Sequence, residues 1–346
     1  MAAESVQASV RRLAFGESLS ETEAAEAFGE IMAGDATAAQ VAALLMALRV
    51  KGETPDEVAG AARALRGAMV RIAADSPGEL VDTCGTGGGS VTTFNISTAA
   101  ALLAAGAGVR IAKHGNRSFT SQCGSADVLE ALGVPLDATP GSMEAVLRTA
   151  GVVFMFAPTM HPAMRHVGPI RRELGIPTVM NIVGPLANPA GAERQVVGVA
   201  DRQRMPLLAG ALAALGSRHV LVVHGEPGMD EVSPIGITYV AEVREGQVRE
   251  WTIEPAALGL PPFPVEDLAG GGPADNARIV SEVLGGGGTP GARAAVMLNA
   301  AAAIYVSGKT NDMLDAVLRS RSALEAGAGL VALNRMRTAY VEHRGG

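Results

Sequence analysis

Apolar residues recur at helical spacing at both ends of this chain, and between the ends they tighten into short continuous runs. Over residues 1–75, Ser20-Glu21-Thr22-Glu23 forms a capping box ahead of AAEAFGEIMA, with Gly34 as its stop. ATAAQVAALLMALRVKG keeps apolar positions at helical spacing and ends in Lys51-Gly52; Thr54-Pro55-Asp56-Glu57 caps a further helix with Pro at its first position. That predicts an all-α entry region. From Glu79 the period changes, and ELVDTCG, VRIAKHG, VVFMFAP, RQVVGVAD and HVLVVHG read as strands separated by helical patterns at 97–107, 125–132, 142–150 and 203–215. Apolar strands alternating with helices predict an α/β fold, its largely parallel sheet covered on both faces. ITYVAEVREGQVREWTI reads as a hairpin about Glu245-Gly246, PPFPVEDLAGGGPA as a surface loop or crossing connection, and PGARAAVMLNAAAAIYVSG and NDMLDAVLRSRSALEAG as closing helices.

The 346 residues, 48% of them hydrophobic, can bury a sizeable core and divide into two domains. The N-terminal stretch lacks the basic start and apolar run of a secretory signal, and Gly and charges interrupt every apolar segment short of a membrane span, so a cytoplasmic address without membrane attachment is expected. Cys84 and Cys123 are the two cysteines, far apart and without zinc-ligand spacing, and read as small buried residues. A net charge of −7 disfavours a nucleic-acid partner. Lysine occurs only at Lys51, Lys113 and Lys309, which makes Lys113 inside a motif conspicuous.

Chemistry concentrates where strands end, the place at which open α/β sheets bind ligands. VDTCGTGGGSVTTFNIST sets a glycine cluster before Ser97-Thr98 and a helical pattern; it is either a plain turn or a place where bare backbone N–H groups and a helix N-terminus meet a phosphate. It matches neither the Walker A nor the dinucleotide pattern. KHGNRSFTSQCGSADVLEALG places Lys113, Arg117 and the hydroxyls of Ser118, Thr120, Ser121 and Ser125 in a loop before a helix beginning near Ala126. In HVLVVHGEPGMDEVSP, Asp230 and Glu231 follow a strand and would suit Mg²⁺, or form solvated surface. A helix bearing Arg165, Arg171 and Arg172 leads to GPLANPAG; Arg171 or Arg172 could grip a carboxylate in bidentate fashion, or the helix presents a basic face. His161 and His166 lack metal-ligand spacing and read as structural.

In order and spacing, DTCGTGG, NIST, KHGNRS, GSADVLEALGV, HPAMRHVGPIRRELGI, NIVGPLANP, VHGEPGMDEVSP and LNAAAAIYVSGK resemble the signatures of the anthranilate phosphoribosyltransferases along essentially the whole chain. The resemblance implies transfer of the phosphoribosyl group of phosphoribosyl pyrophosphate to the amino nitrogen of anthranilate, with Mg²⁺, two ions per subunit, in tryptophan biosynthesis. It implies a small all-helical domain (1–75 with 166–190), a large α/β domain with a mostly parallel central sheet covered by helices (76–165 with 191–346), and a homodimer joined through the helical domains. Gly85, Thr86, Gly87, Gly88, Gly89, Thr93, Asn95, Ile96, Ser97 and Thr98 would hold the pyrophosphate side. Lys113, His114, Gly115, Asn116, Arg117, Ser118, Ser121 and Ser125 would line the rest of the donor; Gly85, Asn116 and Arg171 would touch anthranilate. Asp230 and Glu231 with Ser97 would hold metal, and Lys113, Asp230 and Glu231 would be the catalytic residues.

Three positions depart from the family's pattern. Gly89 stands where Asp is common, SFTSQCGS where SVSSKSGS is usual, and Tyr239 where an Arg is common. A pyrimidine nucleoside phosphorylase of the same architecture is the nearest rival, opposed by GPLANP and the Asp-Glu pair. A nucleic-acid-binding paralogue is opposed by the acidic balance.

Overall fold

The computed structural model describes residues 4–118 and 122–344. The entry region is four helices: α1 (Glu4–Ala14), α2 (Glu21–Ala33), α3 (Ala38–Lys51) and α4 (Pro55–Gly67). Ser20 and Glu23 cap α2 reciprocally, Gly34 ends it at φ 85°, and Thr54 with Glu57 caps α4 in the same reciprocal way, with Pro55 in the first turn. A third box, Thr37 with Gln40, starts α3. The Glu57 side chain is buried, yet it accepts from Leu19 N at 2.9 Å and from Lys51 Nζ at 3.0 Å, so its charge is compensated.

The middle of the chain alternates β1 (Val81–Gly85), α5 (Ile96–Gly106), β2 (Ile111–Gly115), α6 (Ser125–Ala131), α7 (Pro140–Ala150) and β3 (Val152–Phe156). After short α8 (Ala157–Met160) and α9 (Gly168–Leu174) it returns as β4 (Arg194–Gly198), α10 (Met205–Ala214), β5 (His219–Gly225), β6 (Thr238–Arg244) and β7 (Gln247–Ile253). α11 (Pro273–Leu284), α12 (Pro290–Val306), α13 (Met313–Glu325) and α14 (Ala328–Glu342) follow. Among the described residues seven strands form one sheet in the order β3-β2-β1-β4-β5-β6-β7, with β1 to β5 parallel. The β6–β7 hairpin turns on Glu245 at φ 52° and Gly246 at φ 77°, the left-handed pair that a two-residue turn requires.

Two apolar cores cover the two faces of the sheet. One gathers α5, α7 and α11 to α14; the other joins α1 to α4, residues 163–187 and α10 to Val197, Val220, Val222, Ala241 and Val243 of the strands and to Val199 just beyond β4. The entry helices therefore share a core with the sheet through α10, where Gly210 lets Pro55 approach.

Several expectations shift in detail. Lys113 belongs to strand β2, as the run VRIAKHG has it and not as the loop reading of KHGNRS does, because the β2–β3 ladder runs on from Ile111 to Gly115. Helix α5 starts at Ile96, one residue before the expected hydroxyl pair. The 261–274 connection runs mostly at the surface, yet Ala269 pairs with Thr93 and Phe94 N donates to Leu268 O at 3.0 Å, so it braces the loop after β1. Among the described residues no helix is long and apolar enough to cross a membrane.

Candidate active site

Chain direction across the sheet reverses at β1: β2 and β3 build to one side, β4 and β5 to the other. Gly85 and Gly198 end the paired strands β1 and β4 side by side, which opens the crevice used by open α/β folds. Into it comes the turn after β5. A Cβ on Gly198 would overlap the Asp230 carbonyl, and one on Gly85 would lie 3.0 Å from Asp230 Oδ2, so these glycines permit the approach of Asp230.

The glycine loop is tied to that turn. Gly87 N donates to Asp230 Oδ2 at 3.1 Å, Ser90 N to Gly228 O at 2.9 Å and Ser90 Oγ to Pro227 O at 2.8 Å. Gly87 and Gly88 sit at φ 70° and 85°, in the left-handed region where side chains are disfavoured. A Cβ at Gly89 would come 3.0 Å from Asp230 Oδ1, so the glycine leaves this carboxylate room. Thr86 N donates to Gly198 O at 2.9 Å, closing the loop against β4.

Glu231 meets the helix N-terminus. Ser97 N, in the first turn of α5, donates to Glu231 Oε1 at 3.1 Å. From β2, Lys113 is almost wholly buried; its Nζ donates to Thr83 O at 2.5 Å and lies 3.4 Å from Ser97 Oγ. Loss of water and the neighbouring Asp230 push the Glu231 carboxyl up to about 8, Asp230 rises for the same loss of water, and Lys113 falls. These are ionisable groups whose charged forms are short of solvation. Thr83, Cys84, Ser97, Glu231 and Asn299 line a cavity of about 10 Å³ beside them, the room of one water.

Beneath Lys113 lies a network that the sequence pattern does not reveal. Asp82 accepts from His114 N at 3.1 Å and Asn188 Nδ2 at 2.8 Å, and Asn188 Nδ2 also reaches Ala112 O at 2.9 Å. Asn188 belongs to GPLANP, so that motif locks onto the β1–β2 strands. The buried rings of His114 and His161 face each other with Nε2 atoms 3.2 Å apart. Burial holds His114 down to about 3 and His161 to about 4, while it raises Asp82 to about 6. In isolation His161 reads as structural; only the fold, by bringing its loop over β2, places it beside a site residue.

The loop after β2 is arranged differently. Arg117 Nη1 bonds Asp127 and Glu130, each at 2.8 Å, so its guanidinium is engaged by the acidic face of α6. Asp127 also accepts from Ser118 N at 3.1 Å and Gly124 N at 2.8 Å, fixing both ends of the loop. Ala126 N and Ser125 Oγ donate to Asn116 O at 3.1 and 3.3 Å. Asn95 Nδ2 reaches across to Cys123 O at 3.0 Å, and Asn95 Oδ1 takes Asn276 Nδ2 at 2.9 Å. Ser121, with Phe119 and Thr120, lies outside the described residues.

Arg171 is on α9 with its guanidinium half-buried, and makes no ion pair among the described residues; burial lowers its pKa. Tyr239 OH donates to Glu226 Oε1 at 3.0 Å and the Arg202 guanidinium stacks on its ring, so a guanidinium reaches this corner from another position. No group of three or more His, Cys, Asp or Glu in metal-holding geometry occurs among the described residues.

Residues 7–69 match the Glycosyl transferase family, helical bundle domain, and residues 77–330 the Glycosyl transferase family, a/b domain. The chain is 49% identical over 331 residues to an anthranilate phosphoribosyltransferase of Anaeromyxobacter sp. (strain K), spanning 96% of this chain and 97% of that one. It is 51% identical over 324 residues to the enzyme of that name from Roseiflexus sp. (strain RS-1), spanning 93% and 94%. The crystal structure of anthranilate phosphoribosyltransferase from Thermus thermophilus superposes with a TM-score of 0.90 at 42% identity over 96% of this chain and 99% of that one. The Saccharomyces cerevisiae enzyme in complex with PRPP and Mg gives 0.87 at 28% identity over 97% and 98%.

Proposed function

The chain belongs to the glycosyl transferase family in which the anthranilate phosphoribosyltransferases lie, and from that premise we propose that it carries out their reaction. It transfers the 5-phosphoribosyl group of phosphoribosyl pyrophosphate to the amino nitrogen of anthranilate and releases pyrophosphate, the second step of tryptophan biosynthesis from chorismate. The observation that supports this most is the meeting of a glycine loop, a helix N-terminus, a buried lysine and two carboxylates at one strand crossing.

The residues divide the work by charge. Gly85 to Gly89, Thr93 and the Asn95–Thr98 turn offer main-chain donors and hydroxyls to the diphosphate as negative charge grows on it. Lys113 adds a cation that cannot drift, because Thr83 holds it. His114, Gly115, Asn116, Arg117, Ser118 and Ser125 would line the sugar-phosphate side, as the resemblance also implies for Ser121, and Arg171, without a carboxylate partner among the described residues, would take that of anthranilate, with Gly85 and Asn116 beside the ring. The arylamine is already a nucleophile, so holding it in line with the anomeric carbon replaces the need for a strong base.

Asp230 and Glu231, with Ser97, would hold Mg²⁺, two ions per subunit. The fit is good on chemical grounds: two undersolvated carboxylates beside a hydroxyl, with no third His, Cys, Asp or Glu grouped with them among the described residues, suit a hard cation that shares phosphate oxygens and keeps waters. Bound there, it would supply positive charge against the departing pyrophosphate.

The small helical unit comprises 1–75 with 166–190 and the large unit 76–165 with 191–346. A homodimer forms through the helical units, in keeping with Phe15 and Val50 lying 86% and 79% exposed on them. The enzyme works in the cytoplasm. The deciding experiment follows anthranilate fluorescence: it falls only with phosphoribosyl pyrophosphate and Mg²⁺ both present, whereas phosphorolysis of thymidine or uridine would overturn the assignment.

A further inference from the structure

Helix α12 is nearly all alanine and aliphatic residues along the face that covers the sheet, and one amide interrupts it. Asn299 is 3% exposed, in the middle of AVMLNAAAAIYV, where Asn lowers helix propensity and an unbonded amide would be destabilising. Every polar atom of this side chain is used. Its Oδ1 accepts from Val232 N at 2.8 Å, and its Nδ2 donates to Val232 O at 2.9 Å and to Ala295 O at 2.9 Å. One side chain thus grips both polar groups of the residue that follows Glu231, as a neighbouring strand would.

We propose that Asn299 is a positioning residue that fixes the Asp230–Glu231 turn in the orientation that receives the metal, acting through the main chain of Val232. Two further observations converge on this. Asn299 lines the same cavity of about 10 Å³ as Glu231, Ser97 and Thr83, so the clamp abuts the carboxylate it orients. On the other side, the turn is held by Gly87 N on Asp230 and Ser97 N on Glu231, contacts to the carboxylates themselves. Those carboxylate contacts compete with a cation for the same oxygens. The Asn299 clamp does not, because it holds main chain, and it keeps the turn in place whether or not the carboxylates are engaged.

The inference rests on the reading of Asp230 and Glu231 as metal-holding groups, and the experiment separates the two. In the parent protein without metal, the Val232 amide exchanges with solvent at least about a hundredfold more slowly than the amides of the exposed Glu245–Gly246 turn; exchange as fast as in that turn would remove the clamp without recourse to any variant. Asn299→Leu keeps the volume and deletes the bonds. It speeds Val232 exchange and raises the Mg²⁺ concentration for half-maximal rate about tenfold, with the anthranilate KM within about twofold of the parent.

Val296→Ala, a cavity in the same helix, serves as the comparison: it lowers the thermal midpoint and leaves both the Mg²⁺ dependence and Val232 exchange unchanged. An equal Mg²⁺ shift in Val296→Ala, or none in Asn299→Leu, would overturn the positioning role. If Asp230→Asn with Glu231→Gln also left the Mg²⁺ dependence untouched, the metal reading itself would fall. If that double variant shifts it and Asn299→Leu does not, only the clamp fails.

Discussion

Carboxylates at the two ends of one sheet are treated in opposite ways. Near the start of β5 and the hairpin, Glu242 is buried and saturated: His219 Nε2 lies 2.8 Å and Tyr305 OH 2.9 Å from its Oε1, and Trp251 Nε1 donates to Oε2 at 2.9 Å. At the carboxyl end of the same strand, Asp230 and Glu231 stand side by side, Asp230 receiving an N–H of the glycine loop and Glu231 one from the first turn of α5, with pKa values raised. A fully bonded acid tightens a core; a crowded, half-bonded pair marks a place prepared for something else.

The sharpest way to break this comparison is to neutralise both ends. Asp230→Asn with Glu231→Gln lowers turnover at limiting Mg²⁺ by at least about a hundredfold while the thermal midpoint holds or rises, since two repelling acids are gone. Retained turnover in that double variant would contradict the contrast. Glu242→Gln does the reverse, losing about 2 kcal/mol of stability in denaturant titration because an amide cannot accept from all three donors, with both KM values unchanged.

Much of this contrast is legible in the sequence, and the reason is local chemistry. Capping boxes, the Glu245-Gly246 turn and apolar runs depend on neighbours in sequence, and the structure places them where the pattern puts them. The glycine cluster and the Asp-Glu pair are visible as motifs for the same reason. What cannot be read is pairing over long separations: Asp82 with Asn188, His114 with His161, Asn299 with Val232. A polar residue in an apolar run is the available signal, yet its partner is named only by strand order. A buried lysine weakens the apolar pattern by which a strand is recognised, so the run VRIAKHG and the motif KHGNRS place Lys113 differently, and only the ladder settles it in β2.

A smaller effect sharpens the account on the anthranilate side. Arg171→Ala raises the anthranilate KM about tenfold, a loss of about 1.4 kcal/mol, and moves the donor KM much less; an unchanged anthranilate KM would remove Arg171 from the site.

An effect of comparable size is predicted in acid. His114 and His161 are held neutral, near 3 and 4, against an ordinary value of 6.5, so their contribution is present above about pH 6.5 and is lost as pH falls toward 4. Asp82, raised to about 6, takes up a proton in the folded state over the same range and works the other way. His161→Gln should therefore flatten the acid loss of stability by at most about 1.4 kcal/mol per pH unit, read from denaturation midpoints between about pH 6 and 4.5. An unaltered slope would mean that the ring pair titrates as it does in the unfolded chain.

The contrast between the two ends of the sheet is tested most directly by crystals grown with phosphoribosyl pyrophosphate and Mn²⁺ in place of Mg²⁺. Anomalous peaks bound by Asp230 and Glu231, with diphosphate oxygens on the N–H groups of the glycine loop, are the expected result. Peaks elsewhere, with those carboxylates still holding only Gly87 and Ser97, would contradict it.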